Sequence, residues 1–257
     1  MSELTVQHTA SESWLTVHIG HHFRRQQDGF HLQLSFEASA ARTVIFGPSG
    51  SGKSSLLRAI AGLLEPDAGH IQIHGNSVWQ RTSGKHSLLW VPAEKRRVGL
   101  VLQNPAVFPH LTVAQNVAYA MRRMEKSEQK KEVLHLLQLV EAESLVDRWP
   151  RELSGGQLQR VAIARTLAAE PRVLLLDEPF AALDGRSRQQ LSANLQEWAR
   201  THHVPILMVT HNLEEAFSAG DEIVVMHEGH ITAQGGPQAV LMRERDRLLE
   251  SLGVGPC

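Results

Sequence analysis

Residues 43–57 read T-V-I-F-G-P-S-G-S-G-K-S-S-L-L, and this stretch decides the fold of the chain. Its residues 47–54 fit the pattern G-x-x-x-x-G-K-[ST] at every fixed position, with a strand-prone run before them and a helix-compatible run, 54–64, after them. Glycines let the backbone curl so that successive N–H groups point at phosphate oxygens, and the start of the following helix adds a favourable dipole. The stretch therefore predicts a phosphate-binding loop between a strand and a helix.

The residue types of this loop predict what its positions do. We expect the phosphates to contact residues in and directly after the loop, namely Gly47, Pro48, Ser49, Gly50, Ser51, Gly52, Lys53, Ser54 and Ser55. The Lys53 ammonium suits the β- and γ-phosphates, and the Ser54 hydroxyl suits Mg²⁺. The expected ligand is a nucleoside triphosphate with its magnesium ion. The alternative is a Gly/Ser-rich linker that fits the pattern by chance.

The composition is ordinary for a globular protein and excludes several classes. The chain has 257 residues, of which 42% are hydrophobic and 21% charged, and its formal net charge is −1. Because such a chain has no electrostatic footprint for nucleic acid or an anionic membrane, no nucleic-acid partner is expected. The single cysteine, Cys257, excludes an internal disulfide framework. We expect no signal peptide, and no run of about 18 apolar residues is found, so any membrane role is expected to depend on a partner protein.

Apolar periodicity predicts an α/β chain. Alternating apolar and polar residues indicate half-buried strands at 15–19, 31–36 and 70–74. Mainly apolar runs indicate further strands at 96–103, 172–176, 205–209, 222–226 and 230–234. Helices are expected after the phosphate loop and at 112–124, 130–140, from 155, 186–201, directly after 211 and at 237–252, whereas 76–97 is expected to be irregular. This order predicts a mostly parallel sheet, an antiparallel β-subdomain and a helical subdomain, 104–165, inserted in the core.

Two acidic residues follow a predicted buried strand. The sequence L-L-L-D-E-P places Asp177 and Glu178 directly after 172–176, at the end of a parallel strand where α/β sheets bind ligands. Because the phosphate loop follows its own strand in the same way, Asp177 is expected to reach the Mg²⁺ held by Ser54. Glu178 points elsewhere and can align or deprotonate a water molecule. The alternative is a surface turn with two acids.

The sequence L-S-G-G-Q at 153–157 opens a helix. Ser154 is a good N-cap residue, and the two glycines permit close approach of another backbone. A helix that starts in this way is a second anion site. Since one nucleotide rarely needs two phosphate sites from one chain, we expect this site to serve a nucleotide bound by a second copy. The alternative is an ordinary capped helix.

Polar residues also end two other predicted strands. Gln103 and His211 lie at strand ends where the phosphates would be, which favours a role in the site over a purely structural one. The chain has 15 histidines, including the pairs 21–22 and 202–203. No cysteine or histidine spacing indicates a zinc site, so we expect both pairs to be exposed to solvent.

Together these residues resemble the ATPase subunits of ATP-binding cassette (ABC) transporters, over roughly residues 15–241. L-S-G-G-Q is the signature motif of that family and is highly specific beside the two nucleotide motifs. The resemblance implies a P-loop NTPase core and ATP and Mg²⁺ as cofactors. It also implies a head-to-tail dimer with a second copy of the chain that sandwiches two ATP molecules. Residues 1–257 would form one domain without the C-terminal regulatory β-domain that many relatives carry.

The resemblance assigns roles to residues of this sequence. It implies that Glu178 is the catalytic carboxylate and that His211, Gln103 and Lys53 act with it. The expected Mg²⁺ ligands are Ser54, Gln103 and Asp177. Phe23 looks like the aromatic residue that stacks on adenine, and Phe30 is a competitor. The γ-phosphate of the other subunit's ATP would contact Ser154, Gly155 and Gly156, and Gln157 and Asp184 are also expected to bind nucleotide. Residues 181–184 resemble the loop that crosses the dimer interface, although Ala181 replaces the common serine and removes one hydrogen-bonding group.

A finer resemblance is to importer ATPases. Residues 103–112 are similar to the importers' Q-loop region, and the string P-A-E-K-R-R-V-G at 92–99 looks most like the molybdate importer's ATPase. Sulfate, ferric iron and polyamine importers share much of this pattern. The implied partners are integral membrane permease subunits and, indirectly, a substrate-binding protein. The implied location is the cytoplasmic face of the inner membrane. The alternatives are a soluble cassette ATPase and a non-hydrolytic nucleotide-binding module.

Overall fold

Strands and helices alternate along most of the chain. The computed structural model describes residues 13–23, 29–81, 89–240 and 242. The strands within them are β1 (Leu15–His22), β2 (His31–Ala38), β3 (Arg42–Phe46), β4 (Ala68–Ile73), β5 (Asn76–Arg81), β6 (Leu89–Trp90), β7 (Val98–Val101), β8 (Val173–Asp177), β9 (Ile206–Thr210), β10 (Glu222–His227) and β11 (His230–Gly235). The α-helices are α1 (Lys53–Ala61), α2 (Val113–Ala118), α3 (Lys126–Leu139), α4 (Gly155–Leu167), α5 (Gly185–His202) and α6 (Leu213–Ala219). The predicted strand, loop and helix around 43–57 are confirmed as β3, the phosphate loop and α1.

The strands form one sheet with a parallel half and an antiparallel half. Its order is β6-β5-β4-β1-β2-β11-β10-β3-β9-β8-β7. The run from β10 to β7 is parallel throughout, whereas the pairs from β6 to β2 and the β10–β11 pair are antiparallel. The predicted α/β fold is confirmed, and the antiparallel strands join the parallel ones in a single mixed sheet. The carboxyl ends of β3, β7, β8 and β9 meet at one edge, where a ligand site is expected.

Buried side chains cover both faces of the parallel half. All residues of β8 and β9 are buried, which is why these strands read as apolar runs. Adjacent residues of β8 enter opposite cores. Leu175 packs in the cluster that contains Leu57 of α1, and Leu174 packs in the cluster that contains Val161 of α4 and Leu195 of α5. Strand β8 is therefore held from both sides, and its last residue is fixed in place.

The prediction that residues 76–97 are irregular is wrong in part. The segment contains β5 and β6, and Trp79 in β5 is completely buried. Strand β5 pairs Trp79 with Ile71 and Ser77 with Gln72, so Val78 is an extra, bulged residue. Val78 and Trp79 are both buried as a result. The bulge destroys the alternation of apolar and polar residues by which a strand is identified in a sequence. Residues 82–88 lie outside the described part of the chain.

The connection between β7 and β8 is mainly helical, but the helix bounds differ from those predicted. Helix α2 ends at Ala118 and continues as a 3₁₀ turn over Tyr119–Met121. Helix α3 begins at Lys126, earlier than predicted, because the Glu125 side chain accepts a hydrogen bond from the Ser127 N–H at 2.6 Å and caps it. The helix predicted at 237–252 is seen at 237–240 and at Met242, and its remainder lies outside the described residues. Within the described ranges, no helix is both long and apolar enough to cross a membrane.

Candidate functional site

The phosphate loop lies between β3 and α1 and has a backbone that requires glycine. A Cβ atom on Gly47 would lie 2.0 Å from the carbonyl oxygen of Met226 in β10, so a side chain cannot fit there. Gly52 is the N-cap of α1 and has φ 99°, in the left-handed region that favours glycine. The N–H of Gly229 donates to the Ser51 carbonyl at 3.1 Å and holds the loop against the β10–β11 turn. The loop is therefore shaped by its surroundings as well as by its own sequence.

The Lys53 side chain is buried inside this loop. Its Nζ donates to the carbonyl oxygens of Gly47 at 2.8 Å and of Pro48 at 2.7 Å. Burial lowers the pKa of Lys53, and the nearby charges of Glu178 and Asp177 oppose that shift. Lys53 thus places a positive charge where a phosphate bound in the loop would lie.

Ser54 and Asp177 form an oxygen-rich pair beside the loop. The Ser54 hydroxyl donates to Asp177 Oδ1 at 2.9 Å, and Asp177 is the last residue of β8. Asp177 is only 3% exposed, and this burial raises the pKa of its carboxyl group, although the Ser54 hydrogen bond lowers it. A hydroxyl and a buried carboxylate are ligands that suit Mg²⁺, and a cation would offset the cost of burying the charge. These two residues therefore fit the predicted metal.

Glu178 is held between Gln103 and His211, the two residues predicted to act with it. Its Oε1 lies 2.8 Å from His211 Nδ1, and its Oε2 accepts a hydrogen bond from Gln103 Nε2 at 3.1 Å. The backbone of Glu178 has φ 46°, a left-handed conformation that is unfavourable for a residue with a side chain. The Glu178 N–H donates to the Val209 carbonyl at 3.0 Å, which fixes this conformation to the end of β9. The strained backbone aims the carboxylate away from Asp177 and toward His211.

Most of these groups line one cavity of about 390 Å³ at the carboxyl edge of the sheet, and the buried Asp177 contacts it through Ser54. Its walls are formed by Phe23, Phe30, Ser49, Gly50, Gly52, Lys53, Ser54, Ser55, Gln103, Glu178 and His211. The rings of Phe23 and Phe30 lie 5.7 Å apart between centroids, and the Phe23 N–H donates to the Phe30 carbonyl at 3.0 Å. The two candidates for stacking on a base therefore form one aromatic wall. The cavity therefore combines a phosphate loop with this aromatic wall.

A second cavity lies away from this chemistry. It measures about 690 Å³ and includes Arg42, Pro205 and Asp221 in its lining. These residues are at the starts of β3, β9 and β10, which is the amino edge of the parallel strands. Although it is larger, it contains none of the predicted site residues. Catalytic residues of α/β sheets lie at the carboxyl edge, so we assign the site to the smaller cavity.

The remaining predicted ligand residues form a separate group. Ser154 Oγ accepts the Gln157 N–H at 3.3 Å, and Gln157 Oε1 accepts the Ser154 N–H at 2.9 Å, a reciprocal cap at the start of α4. A Cβ atom on Gly155 would meet nothing within 4 Å, whereas one on Gly156 would lie 2.9 Å from Leu183. In the described part of the chain these residues do not line the 390 Å³ cavity. The start of α4 is therefore rigid and open on the side of Gly155.

Asp184 belongs to the same separate group. It is the N-cap of α5, and its Oδ1 accepts the Ser187 N–H at 3.0 Å. Asp184 follows the loop whose Ala182 carbonyl and Leu183 side chain crowd Gly156. The start of α4 thus packs against the loop that leads into α5.

Sequence reasoning missed the role of Arg96. This residue is 5% exposed, and its Nη1 donates to the carbonyls of Ala59 and Ile60, both at 2.8 Å, at the end of α1. Its Nε donates to the Val91 carbonyl at 2.8 Å. Burial lowers the pKa of Arg96 to about 10. Within the string 92–99, Arg96 therefore supports the helix that follows the phosphate loop, a role independent of any transported substrate.

The expected solvent exposure of the histidine pairs is wrong for His21. Its side chain is 14% exposed and lies 3.3 Å from an Asp67 oxygen, while its ring meets the edge of Phe23 at 4.5 Å between centroids. His22 is 62% exposed and lies 3.4 Å from the same oxygen. His202 and His203 are exposed, as predicted. His21 was missed because its contact with Asp67 is long-range and leaves no local pattern.

Curated relatives share most of this chain. A family model described as ABC transporter matches residues 31–181. The sulfate/thiosulfate import ATP-binding protein of Mycobacterium tuberculosis is 46% identical over 200 residues, which are 77% of this chain and 54% of that protein. The protein of that name from Thermosynechococcus vestitus is 44% identical over 205 residues, 79% of this chain and 58% of that protein. A probable one from Chlorella vulgaris is 45% identical over 196 residues, 76% of this chain and 79% of that protein. The chain spans little more than half the length of the first two relatives.

Solved structures share the fold. A dimeric bacterial ABC transporter cassette aligns with a TM-score of 0.75 and 27% identity, over 87% of this chain and 98% of that one. A dimeric ATP-binding cassette in a post-hydrolysis state with ADP and phosphate aligns with a TM-score of 0.73 and 26% identity, again over 87% of this chain and 98% of that one. A part of an ABC transporter complex from Clostridium perfringens aligns with a TM-score of 0.73 and 30% identity, over 92% of this chain and 94% of that one. These structures share the arrangement of strands and helices that builds the site.

Proposed function

Because this chain belongs to the ABC transporter family, we propose that it is the ATP-hydrolysing subunit of an importer. The observation that carries the proposal is the position of Glu178. Its carboxylate lies between Gln103 and His211, in the same cavity as the phosphate loop and Lys53. A base held in this way beside a triphosphate site is the arrangement that hydrolysis needs. A non-hydrolytic nucleotide-binding module would not need it.

In the proposed reaction, the oxygen of a water molecule bonds to the γ-phosphorus of ATP, the bond from that phosphorus to the β,γ-bridging oxygen breaks, and ADP and phosphate are released. Catalysis of phosphoryl transfer rests on positioning and charge neutralisation. Lys53 neutralises phosphate charge, Glu178 orients and deprotonates the water, and His211 holds Glu178 by the 2.8 Å contact. Ser54, Asp177 and Gln103 would hold Mg²⁺, which neutralises charge on the phosphate oxygens when it is bound. Phe23 and Phe30 give the adenine base an apolar surface.

A dimer would complete each site. The start of α4 is open at Gly155 and lies outside the cavity of its own chain, which supports a role at the nucleotide of a second copy. The nucleotide of the second copy would also be contacted by Ser154, Gly156, Gln157 and Asp184. Two of the similar structures are themselves dimers. In this arrangement, each ATP bridges two chains, so ATP binding would drive closure.

We expect ATP to double the mass of the Glu178→Gln chain in light scattering, because the bound nucleotide is not hydrolysed and the closed dimer persists. Adding Gly155→Arg should keep the monomer mass, since the arginine meets no neighbour in its own chain but would occupy the place of the partner's phosphate. Gly236→Arg is the matched control, at another glycine with open space around it. An unchanged mass with ATP, or equal dimers in both double variants, would count against the sandwich dimer.

The membrane partner would bind beside the Q-loop region. The rings of Phe108 and Tyr119 pack with a tilt of 49° and centroids 4.5 Å apart, and the Arg165 guanidinium lies 3.8 Å from the centroid of the Phe108 ring. Tyr119 is 40% exposed. This partly exposed aromatic pair suits a short helix of a permease subunit. The chain would thus work at the cytoplasmic face of the membrane with permease subunits, and indirectly with a substrate-binding protein. A soluble cassette ATPase without a permease is the alternative.

For the transported substrate we favour sulfate or thiosulfate. The relatives named above are sulfate/thiosulfate importers, and this supports the sulfate alternative better than molybdate. The molybdate prediction rested on the string at 92–99, but residues of this string have structural roles in the fold that explain their presence. Arg96 supports α1, and a Cβ atom on Gly99 would lie 2.7 Å from Thr166. The string therefore carries little information about the substrate.

Uptake measurements test this choice. We expect deletion of the gene to abolish uptake of labelled sulfate by the cells that carry it, and to leave labelled molybdate uptake within twofold. The wild-type gene should restore sulfate uptake, and the Glu178→Gln gene should not. Loss of molybdate uptake with normal sulfate uptake would reverse the assignment.

A further inference from the structure

Glu215 is a buried acidic residue for which the proposed reaction has no role. It lies in the first turn of α6 and is 9% exposed. The hydroxyl of Thr210 donates a hydrogen bond to Glu215 Oε2. Thr210 is the last residue of β9 and is 1% exposed. A buried carboxyl group is costly unless it is well bonded, so this contact needs a physical explanation.

The Thr210 hydroxyl also receives a hydrogen bond from the other side of His211. The Asn212 N–H donates to Thr210 Oγ1 at 3.0 Å, and the Glu215 N–H donates to Asn212 Oδ1 at 3.0 Å. Residues 210–215 therefore form a closed ring of hydrogen bonds. This ring joins the residue before His211 to the residue after it.

The His211 side chain itself has little support. It is 54% exposed, and its hydrogen bond to Glu178 is the one that we find for it within the described residues. Its position must therefore be set by the backbone on either side. That backbone is fixed by the Thr210 hydroxyl, which is fixed in turn by Glu215.

We propose that Glu215 is a positioning residue that holds His211 against Glu178 through the Thr210 hydroxyl. The proposal rests on the ATP hydrolysis proposed above. Asn212 already caps α6, so the helix start does not need the bond between Thr210 and Glu215. Glu215 also lies in the electrostatic field of the site. Burial raises the pKa of its carboxyl group, and the charge of Glu178 adds to this shift. The hydrogen bond from Thr210 opposes the shift, as do the charges of Arg188 and His211.

Variants that remove or keep the Thr210 hydroxyl test the proposal in the full chain with Mg²⁺ and ATP. Thr210→Val removes the hydroxyl at nearly constant volume. We expect it to lower kcat about tenfold, the effect of one hydrogen bond of ordinary strength, and to change the ATP dissociation constant less than twofold. Thr210→Ser should restore the loss because it keeps the hydroxyl. Glu215→Gln should lower kcat in the same direction, and Glu214→Gln, at the exposed neighbour, is the matched control.

A double-mutant cycle separates positioning from general stability. If Glu215 and Thr210 act through His211, Thr210→Val should have no further effect on kcat in a His211→Ala chain. An equal loss in both backgrounds, or wild-type kcat in Thr210→Val, would overturn the proposal. If the wild-type chain does not hydrolyse ATP, the proposed function fails. NMR of the His211 ring then still tests the positioning: we expect shifted ring resonances in Thr210→Val and native ones in Thr210→Ser, and unchanged resonances in both would refute it.

Discussion

Replacing Glu178 by glutamine should lower ATP turnover by a factor on the order of 10² to 10⁴ and leave ATP binding intact. The amide has almost the same shape as the carboxylate and can still accept the hydrogen bond from Gln103, which is 3.1 Å long in the native chain. It cannot take a proton from water. The phosphate loop, Lys53 and the aromatic wall do not depend on this group. Phosphate release measures turnover, and titration with a fluorescent ATP analogue measures binding.

Glu214→Gln is the control for this prediction, because Glu214 is an exposed carboxylate on the neighbouring helix α6. It removes the same charge without touching the cavity. Near-normal turnover in Glu178→Gln would show that Glu178 is not the general base. A parallel loss of ATP binding would mean that Glu178 acts mainly by shaping the site.

The phosphate loop and the buried strands were predictable because each has a short, continuous signature in the sequence. Gly47 and Gly52 are required by the approach of Met226 and by a positive φ, and both lie inside a motif that is read without any knowledge of the fold. Strands β8 and β9 are apolar because both of their faces are buried, so a continuous apolar run predicts them well. The ends of these strands then place Asp177, Glu178 and His211 at one edge.

Long-range contacts made other features unpredictable. Val78 is bulged because of its pairing with β4, and nothing in its own neighbourhood indicates this. Arg96 meets carbonyls that lie 37 and 36 residues earlier, at Ala59 and Ile60, so its burial has no local signature. Glu215 is closer to its partner Thr210, but the helix-start pattern of α6 hides the contact. These residues read as ordinary polar positions until the fold brings their partners to them.

The strongest effect on stability should come from Arg96. It is buried with a lowered pKa of about 10, so burying its charge opposes folding. Three hydrogen bonds to the carbonyls of Ala59, Ile60 and Val91 oppose that cost. A hydrogen bond with a charged partner contributes about 1.5 to 3 kcal/mol, and the end of a helix favours a cation. The bonds should therefore outweigh the several kcal/mol that burial of one ion costs.

We expect Arg96→Met to lower the free energy of unfolding by about 3 kcal/mol, because methionine fills the space but leaves these carbonyls without their buried donor. For a chain of this size, that corresponds to a Tm lower by roughly 6 to 12 °C. Urea denaturation followed by circular dichroism measures it. Since α1 follows the phosphate loop, ATP binding should weaken as well.

Lys95→Met is the matched control, because it removes a positive charge from the neighbouring, exposed position. It should change stability by less than about 0.5 kcal/mol, as surface substitutions do. If both variants lose the same small amount, the hydrogen bonds of Arg96 only balance the cost of burying it. If Arg96→Met is more stable than the wild-type chain, the cost of burying the charge outweighs the hydrogen bonds. Replacing buried ion pairs by apolar residues can stabilise a protein for the same reason. Only a loss confined to Arg96 means that this residue holds the end of α1, and with it the helix that begins at Lys53.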